Sequence, residues 1–218
     1  MKAFSLACTF AVSLAAPVFC DTILQTNSQG KEIVLQRDAI VVHQDSSFVV
    51  YKHFDLKDRC VRVINLNRGS LPFHVQISDP AGRAQIVAVW KRFGYKAAIT
   101  DQAGNITQVY DLYLDFYPPG GRGSLLESVP ARTSFPVQLD NGSSDEFEFD
   151  KIDRVEIQGN RLNIVLRDEK TAAGKFLMPT TQPAEVRVLG ITDKYDPASR
   201  DVFDFSVPLS RLKMISFQ

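Results

Sequence analysis

A pattern that occurs twice constrains the fold of this chain more than any other feature of its sequence. Residues 146–157 and 206–217 carry apolar side chains at the same five positions, spaced two, three, three and two residues apart. A spacing of two is typical of a strand with one buried face, and the wider spacing between indicates a polar corner. We therefore predict a strand, a corner and a second strand in each copy. The matched pairs are Phe147 with Val207, Phe149 with Leu209, Ile152 with Leu212, Val155 with Ile215 and Ile157 with Phe217.

Short apolar runs separated by turn residues continue along most of the chain, as in antiparallel β proteins. They predict strands at 39–43, 48–52 and 60–66, and a hairpin that joins 95–100 to the strand starting at Ile106. Residues 79–82 read as a turn, and the run that follows at 85–90 fits either a strand or a short helix. The predicted class is all-β and mainly antiparallel, either a β-sandwich or two small β domains.

A turn-rich segment at 140–144 divides the predicted strands into two groups. We expect an N-terminal β domain at residues 21–140 and a C-terminal, small barrel-like domain at residues 141–218. A single continuous core across both groups is the alternative.

The first twenty residues have the features of a secretory signal peptide, since Lys2 precedes an uncharged run that is too short to span a bilayer. Cleavage after Cys20 would start the mature chain at Asp21, and lipidation of Cys20 is the alternative. We expect an exported protein of the bacterial periplasm or the extracellular space, without a transmembrane segment in the mature chain. Cys60 is then the only cysteine left, so the hydrophobic core must stabilise the fold without an internal disulfide.

The last third of the chain resembles a module of uncharacterised bacterial exported proteins, a small barrel similar to the Sm or SH3 fold. The resemblance rests on residues 151–157, 165–168, 174–176 and 205–217, and at the turn Glu169 stands where such modules usually have glycine. It implies a structural module, because no catalytic signature comes with it. RNA binding is not carried over from the Sm family, since an exported chain with 25 basic and 25 acidic residues is a poor match for nucleic acid.

Three histidines are the weak candidates for a metal site, namely His43, His53 and His74. Together with Cys60 and Asp55 they are of the residue types that bind zinc or copper. Their spacing matches no ligand motif, so we expect no metal and no cofactor. An enzyme whose site is assembled from these dispersed residues is the alternative.

Aromatic residues near a Pro/Gly-rich loop are the candidate binding residues. They are Trp90, Tyr113, Phe116 and Tyr117, with Arg122 in the loop itself. Exposed rings can stack on a sugar or hold a protein partner, whereas buried rings would fill the core of the domain. Both interpretations fit the sequence.

The functional prediction follows from these candidates and from the motifs that are missing. The sequence contains neither the Gly-x-Ser-x-Gly elbow of serine hydrolases nor a phosphate-binding loop. We predict a non-catalytic exported protein that serves as a binding or scaffold module for another cell-envelope or secreted protein. A carbohydrate-binding module and an enzyme with a dispersed site are the two alternatives.

Overall fold

The chain folds into two antiparallel sheets joined by a helix. The structure is a computed structural model, and it describes residues 21–44, 48–55, 59–67, 73–76, 80–120, 131–181, 183–199, 201 and 203–218. This confirms the all-β class. The smaller sheet has the strand order β4-β3-β2-β1-β5. Its strands are β1 (Asp21–Thr26), β2 (Glu32–Gln44), β3 (Phe48–Asp55), β4 (Cys60–Asn67) and β5 (Phe73–Gln76).

A ten-stranded sheet contains the remaining strands, in the order β14-β13-β7-β6-β15-β10-β11-β12-β8-β9. A bridge between Leu114 and Arg132 brings the chain before β8 against β7, so that the sheet curls back on itself. Its strands are β6 (Lys96–Asp101), β7 (Ile106–Tyr117), β8 (Ser134–Leu139), β9 (Ser144–Glu148), β10 (Ile152–Gln158), β11 (Arg161–Leu166), β12 (Thr171–Phe176), β13 (Glu185–Ile191), β14 (Phe205–Pro208) and β15 (Leu212–Phe217).

Helix α1 (Pro80–Phe93) replaces the turn predicted at 79–82 and decides the ambiguity at 85–90 in favour of a helix. Proline is favoured in the first turn of a helix, because its fixed φ suits the helix and its missing N–H would lack an intrahelical partner there. Lys91 and Arg92 lie in the last turn, where cations interact favourably with the helix dipole. Gly94 follows the helix at a point where the backbone passes close to β7. A Cβ at this position would lie 2.8 Å from the Cα of Asp111.

The repeated pattern forms the predicted strand, corner and strand in both copies. In each corner, three residues form a 3-10 turn, Phe149–Lys151 in the first copy and Leu209–Arg211 in the second. Nine of the ten matched apolar residues are at most 9% exposed, and Val207 is half-buried. The prediction from the apolar spacing is therefore confirmed.

The repeat extends far beyond the corner, because the ten-stranded sheet consists of two similar units. The first unit has the strand order β10-β11-β12-β8-β9, and the second has the corresponding order β15-β6-β7-β13-β14. The turns of the β6–β7 and β11–β12 hairpins have the same length, because Thr100 lies opposite Ile106 in one and Val165 lies opposite Thr171 in the other. The positive φ of Gly104 and Glu169 falls at the same position of these turns. Glu169 thus adopts the conformation that glycine usually supplies.

The two units meet where β10 pairs with β15. Val155 lies opposite Ile215, its own counterpart in the repeat, so an approximate twofold axis relates the units. The first unit is continuous in sequence, whereas the second takes β6 and β7 from before the first unit.

The segment 140–144 is the tip of the β8–β9 hairpin and not a boundary between sheets. Strands from both sides of residue 140 pair in one sheet, for example β15 with β6 and β12 with β8. The division predicted at residue 140 therefore does not coincide with the arrangement of the strands.

A smaller apolar cluster joins the two sheets through the helix. Ile40 and Phe54 of the small sheet pack with Val87 and Trp90 of α1. Ile191 and Tyr195, at the end of β13 and just after it, complete this cluster from the large sheet. The helix therefore packs between the sheets.

Truncating the side chain at the centre of the large sheet should destabilise the protein strongly. Ile215 is 0% exposed, so we expect Ile215→Ala to lower the free energy of unfolding by about 2–4 kcal/mol. Lys213→Ala, at an exposed position where the register of the same strand shifts, should change it by less than about 0.5 kcal/mol. Chemical denaturation measures both values, and equal values would contradict the central position of β15.

Candidate functional site

The rings selected as candidate binding residues lie in the interior of the fold. Trp90 is 1% exposed, Tyr113 2% and Phe116 0%. Tyr117 is 9% exposed, and burial raises the pKa of its hydroxyl to about 12. These four rings therefore present no stacking platform to solvent, and the core interpretation of them is the correct one. Arg122 lies outside the described residues.

The candidate metal ligands are distributed over the small sheet. His53 on β3 is half-buried, and its Nδ1 lies 3.0 Å from Nε2 of Gln36. His74 is exposed on β5, while Asp55 on β3 lies 3.6 Å from the guanidinium of Arg62. The side chains of His43 and Cys60 are outside the described part. Among the side chains that are described, no three of His, Cys, Asp and Glu lie close enough to hold a metal ion.

Among the described residues Lys52 is an unusual polar residue, and the sequence pattern does not indicate it. Lys52 lies on β3 and is 0% exposed. Its Nζ lies 5.3 Å from the ring centroid of Trp90 and 5.0 Å from that of Tyr195. The ammonium donates hydrogen bonds to the hydroxyl of Tyr195, at 2.8 Å, and to the carbonyl oxygen of Asp201. Tyr195 donates to the same carbonyl oxygen at 2.6 Å.

Burial lowers the pKa of the Lys52 amine to about 7. The carboxylates of Asp111, Asp201 and Asp204 act in the opposite direction, because nearby negative charge favours the ammonium. Burial also raises the pKa of the Tyr195 hydroxyl, and the neighbouring carboxylates raise it further. A lysine with a perturbed pKa is a candidate for chemistry when a substrate can reach it. Here the amine is enclosed and bound to a backbone carbonyl, so its evident role is to hold the β13–β14 connection.

That connection leads directly into β14, one of the two outermost strands of the large sheet. Thr192, just after β13, is bound to Asp204, just before β14, by its backbone N–H at 2.7 Å and by its hydroxyl at 2.6 Å. Lys52 holds the same connection at Tyr195 and Asp201. Both contacts position the start of β14 relative to the rest of the sheet.

A groove of about 450 Å³ lies between β14, the β6–β7 hairpin and the second 3-10 turn. Its floor is apolar, since Ile99 and Leu212 are buried and Phe205 and Val207 are half-buried. Among the described strands β14 pairs only with β13, so its other edge has no strand partner there. The groove therefore combines an apolar floor with a strand edge, and sequence periodicity alone does not reveal such a combination.

The rim of the groove is polar and well ordered by hydrogen bonds. Asp101 accepts hydrogen bonds from the side chain of Asn105 at 2.8 Å and from its backbone N–H at 2.9 Å, and these bonds lower the pKa of the Asp101 carboxyl. Gln102 donates to the carbonyl oxygen of Leu212 at 2.7 Å and so fixes the hairpin tip to the corner. Arg211 adds a positive charge at the exposed end of the 3-10 turn.

Comparison with protein-family models, with curated proteins and with solved structures finds no significant match. In the described part of the chain, no helix has the length and apolar character that a membrane-spanning helix needs.

The buried lysine should make the stability of the protein rise with pH above neutrality. Between the folded pKa of about 7 and the ordinary value of 10.5, the unfolded chain binds a proton that the folded chain does not. The free energy of unfolding should therefore increase between about pH 7.5 and 9.5, with an upper limit of about 1.4 kcal/mol per pH unit from this group.

Denaturation between about pH 7.5 and 9.5 should show that the free energy of unfolding of the wild-type protein increases with pH. In Lys52→Met the slope of that increase should be smaller. Lys175→Met, which removes an exposed lysine from β12, is the matched control and should keep the wild-type slope. Equal slopes in all three proteins would show that Lys52 is charged in the folded state throughout this range.

Proposed function

We propose that this chain is a non-catalytic exported protein that binds an extended segment of another cell-envelope or secreted protein in the groove beside β14. The observation that carries the proposal is the position of an apolar groove at the unpaired edge of a strand. An extended peptide can add to such an edge through main-chain hydrogen bonds and place alternate side chains in the groove. A volume of about 450 Å³ is within the range of sites that bind small molecules and short segments.

The side chains of β14 suit this mode of binding. Phe205 and Val207 line the groove, whereas Ser206 between them is engaged by Arg187 on the neighbouring strand. The Arg187 guanidinium donates to the hydroxyl of Ser206 at 2.9 Å and to its carbonyl oxygen at 2.8 Å. Alternation along β14 thus directs two apolar side chains toward the incoming segment.

The alternatives have less support from the described residues. Carbohydrate binding would need exposed rings, but the candidate rings are at most 9% exposed. Export rests on the signal-like segment 1–20, which lies outside the described residues. The proposal of peptide binding does not depend on the proposal of export, because the groove is formed entirely by residues 99–107 and 205–212.

The resemblance to the Sm and SH3 folds remains part of the proposal, and the strand order of the second unit supports it. There β6, β7, β13 and β14 are successive antiparallel neighbours, with β8 to β12 inserted in the sequence between β7 and β13. After one 3-10 turn β15 pairs with β6, the first of these strands. Small barrels of the SH3 type have this arrangement. The unit differs from the predicted module in drawing β6 and β7 from outside the last third of the chain.

A peptide library tests the binding proposal on the purified chain, residues 21–218. We expect random peptides displayed on phage to yield ligands that bind the wild-type protein. Ala103→Trp, at the exposed rim of the groove, should weaken their binding by about tenfold or more, because the indole occupies the space that the peptide needs. Fluorescence polarisation with labelled peptides measures the dissociation constants.

The internal repeat provides the control for this experiment. Asp168→Trp introduces the same side chain at the corresponding tip of the β11–β12 hairpin and should leave peptide binding unchanged. Thermal melting verifies that both variants are folded. If the peptides bind Ala103→Trp as tightly as the wild type, or if the library yields no ligand, the groove is not a peptide site.

A further inference from the structure

The groove beside β14 contains a charged side chain that has no partner. Arg211 lines the groove from the 3-10 turn that follows β14, and it is exposed. Among the described arginines of the large sheet, residues 96–217, its side chain alone makes no hydrogen bond, ion pair or ring contact. The guanidinium is therefore available to a bound molecule. The other described arginines of this sheet each bind a carboxylate or a backbone carbonyl oxygen, namely Arg132, Arg154, Arg161, Arg167 and Arg187.

The corresponding corner of the first unit shows an arginine in a structural role. Arg167, at the tip of the β11–β12 hairpin, donates from its Nε to the carbonyl oxygen of Asp150 at 2.9 Å. Its counterpart at the tip of the β6–β7 hairpin is the neutral Gln102. Gln102 binds the carbonyl oxygen of Leu212, so the second corner is fixed to its hairpin without any contribution from Arg211. The charge of Arg211 thus has no evident role in holding the fold.

Asp101 is the carboxylate of the same groove, but it forms no ion pair with Arg211. Its two oxygens accept hydrogen bonds from the backbone N–H of Asn105 at 2.9 Å and from the Asn105 side chain at 2.8 Å. These bonds lower the pKa of the Asp101 carboxyl, so the group is ionised at neutral pH. A bound segment therefore meets a carboxylate that already has its hydrogen bonds and a guanidinium that has none.

A guanidinium beside an apolar groove favours a carboxylate as its partner. Its planar N–H groups match the two oxygens of a carboxylate, and hydrogen bonds between charged groups are stronger than those between neutral ones. A segment that fills the groove also displaces water from around Arg211, which strengthens the attraction between opposite charges. A basic side chain at the same place would bring two like charges together.

The course of β14 indicates where this carboxylate belongs in a bound segment. Phe205 and Val207 line the groove, and Arg211 lies beyond Pro208, after the end of the strand. Alternate side chains of an extended segment point to the same face. When two of them contact Phe205 and Val207, a further groove-facing side chain of the segment lies toward Arg211.

We propose that the groove binds segments in which an acidic side chain, Asp or Glu, alternates with two apolar residues and pairs with Arg211. This inference rests on the proposed function, because it specifies the segment that the groove binds. The carboxylate belongs to a side chain and not to the end of the partner chain. The reason is that Arg211 lines the groove together with the side chains of β14, whereas the backbone of the segment follows the strand edge.

The sequences of peptides selected from the phage library give the first test. On the wild-type chain, residues 21–218, we expect the selected peptides to share two apolar residues and one Asp or Glu at alternate positions. Selection on Arg211→Gln should keep the apolar residues and lose the preference for the acidic one, because the amide carries no charge. Thermal melting verifies that this exposed substitution leaves the fold intact.

Fluorescence polarisation with a selected peptide gives the second test. Arg211→Gln should raise the dissociation constant by about tenfold or more. Lys151→Gln removes an exposed cation from the corresponding corner of the first unit, so this matched control should leave the constant unchanged. Exchanging the acidic residue of the peptide for its amide should weaken binding to the wild type. The same exchange should cause no further loss with Arg211→Gln, because the pair is already broken.

The outcomes separate this inference from the proposed function. Peptides that bind Arg211→Gln as tightly as the wild type, yet lose affinity for Ala103→Trp, would overturn the acidic preference and leave the groove as a peptide site. A loss of binding on amidation of the peptide C-terminus would also overturn it, because the chain end would then supply the carboxylate. A library without any ligand would overturn both.

Discussion

The antiparallel pairing of β10 with β15 is the contact on which the ten-stranded sheet depends. Arg154, Val155 and Glu156 of one strand face Ser216, Ile215 and Met214 of the other. Each strand lies at the inner edge of its own unit, so among the described strands of the sheet this pairing alone joins the two units. Because β6 pairs with β15 across more than a hundred residues of chain, the second unit is complete only when the end of the chain is in place.

The apolar pattern of the sequence predicted both of these strands but not that they pair with each other. The five matched apolar positions identified both corners, because buried strand faces impose a regular spacing. The contribution of β6 and β7 to the second unit has no such signal, since strand pairing between distant segments depends on tertiary packing. The division predicted at residue 140 does not follow the strand order for the same reason. A turn of polar residues marks a hairpin tip as readily as a boundary between domains.

The candidate site was harder to predict because burial, which decides the roles of polar and aromatic residues, depends on the tertiary packing. On β3 the side chain of Lys52 points to the face opposite Tyr51 and His53, and a charged residue in that pattern usually faces solvent. In the structure helix α1 covers that face of the small sheet with Trp90. For the rings of β7 the sequence left an exposed and a buried position open. In the structure Tyr113 and Tyr117 pack with Leu189 on one face of the large sheet, while Phe116 packs in the main core. The groove depends on the edge position of β14, which only the assembled sheet defines.

Native-state hydrogen exchange tests the central pairing most directly. If β10 and β15 join two units into one cooperative sheet, the backbone amides of Val155 and Ile215 should exchange at the same slow rate, set by global unfolding. The amides of β6 and β11, next to them, should follow the same rate and the same response to denaturant. If β15 and β6 exchanged through a lower-energy opening than β10 and β11, the two units would unfold separately, and the pairing of β10 with β15 would not join them into one cooperative sheet.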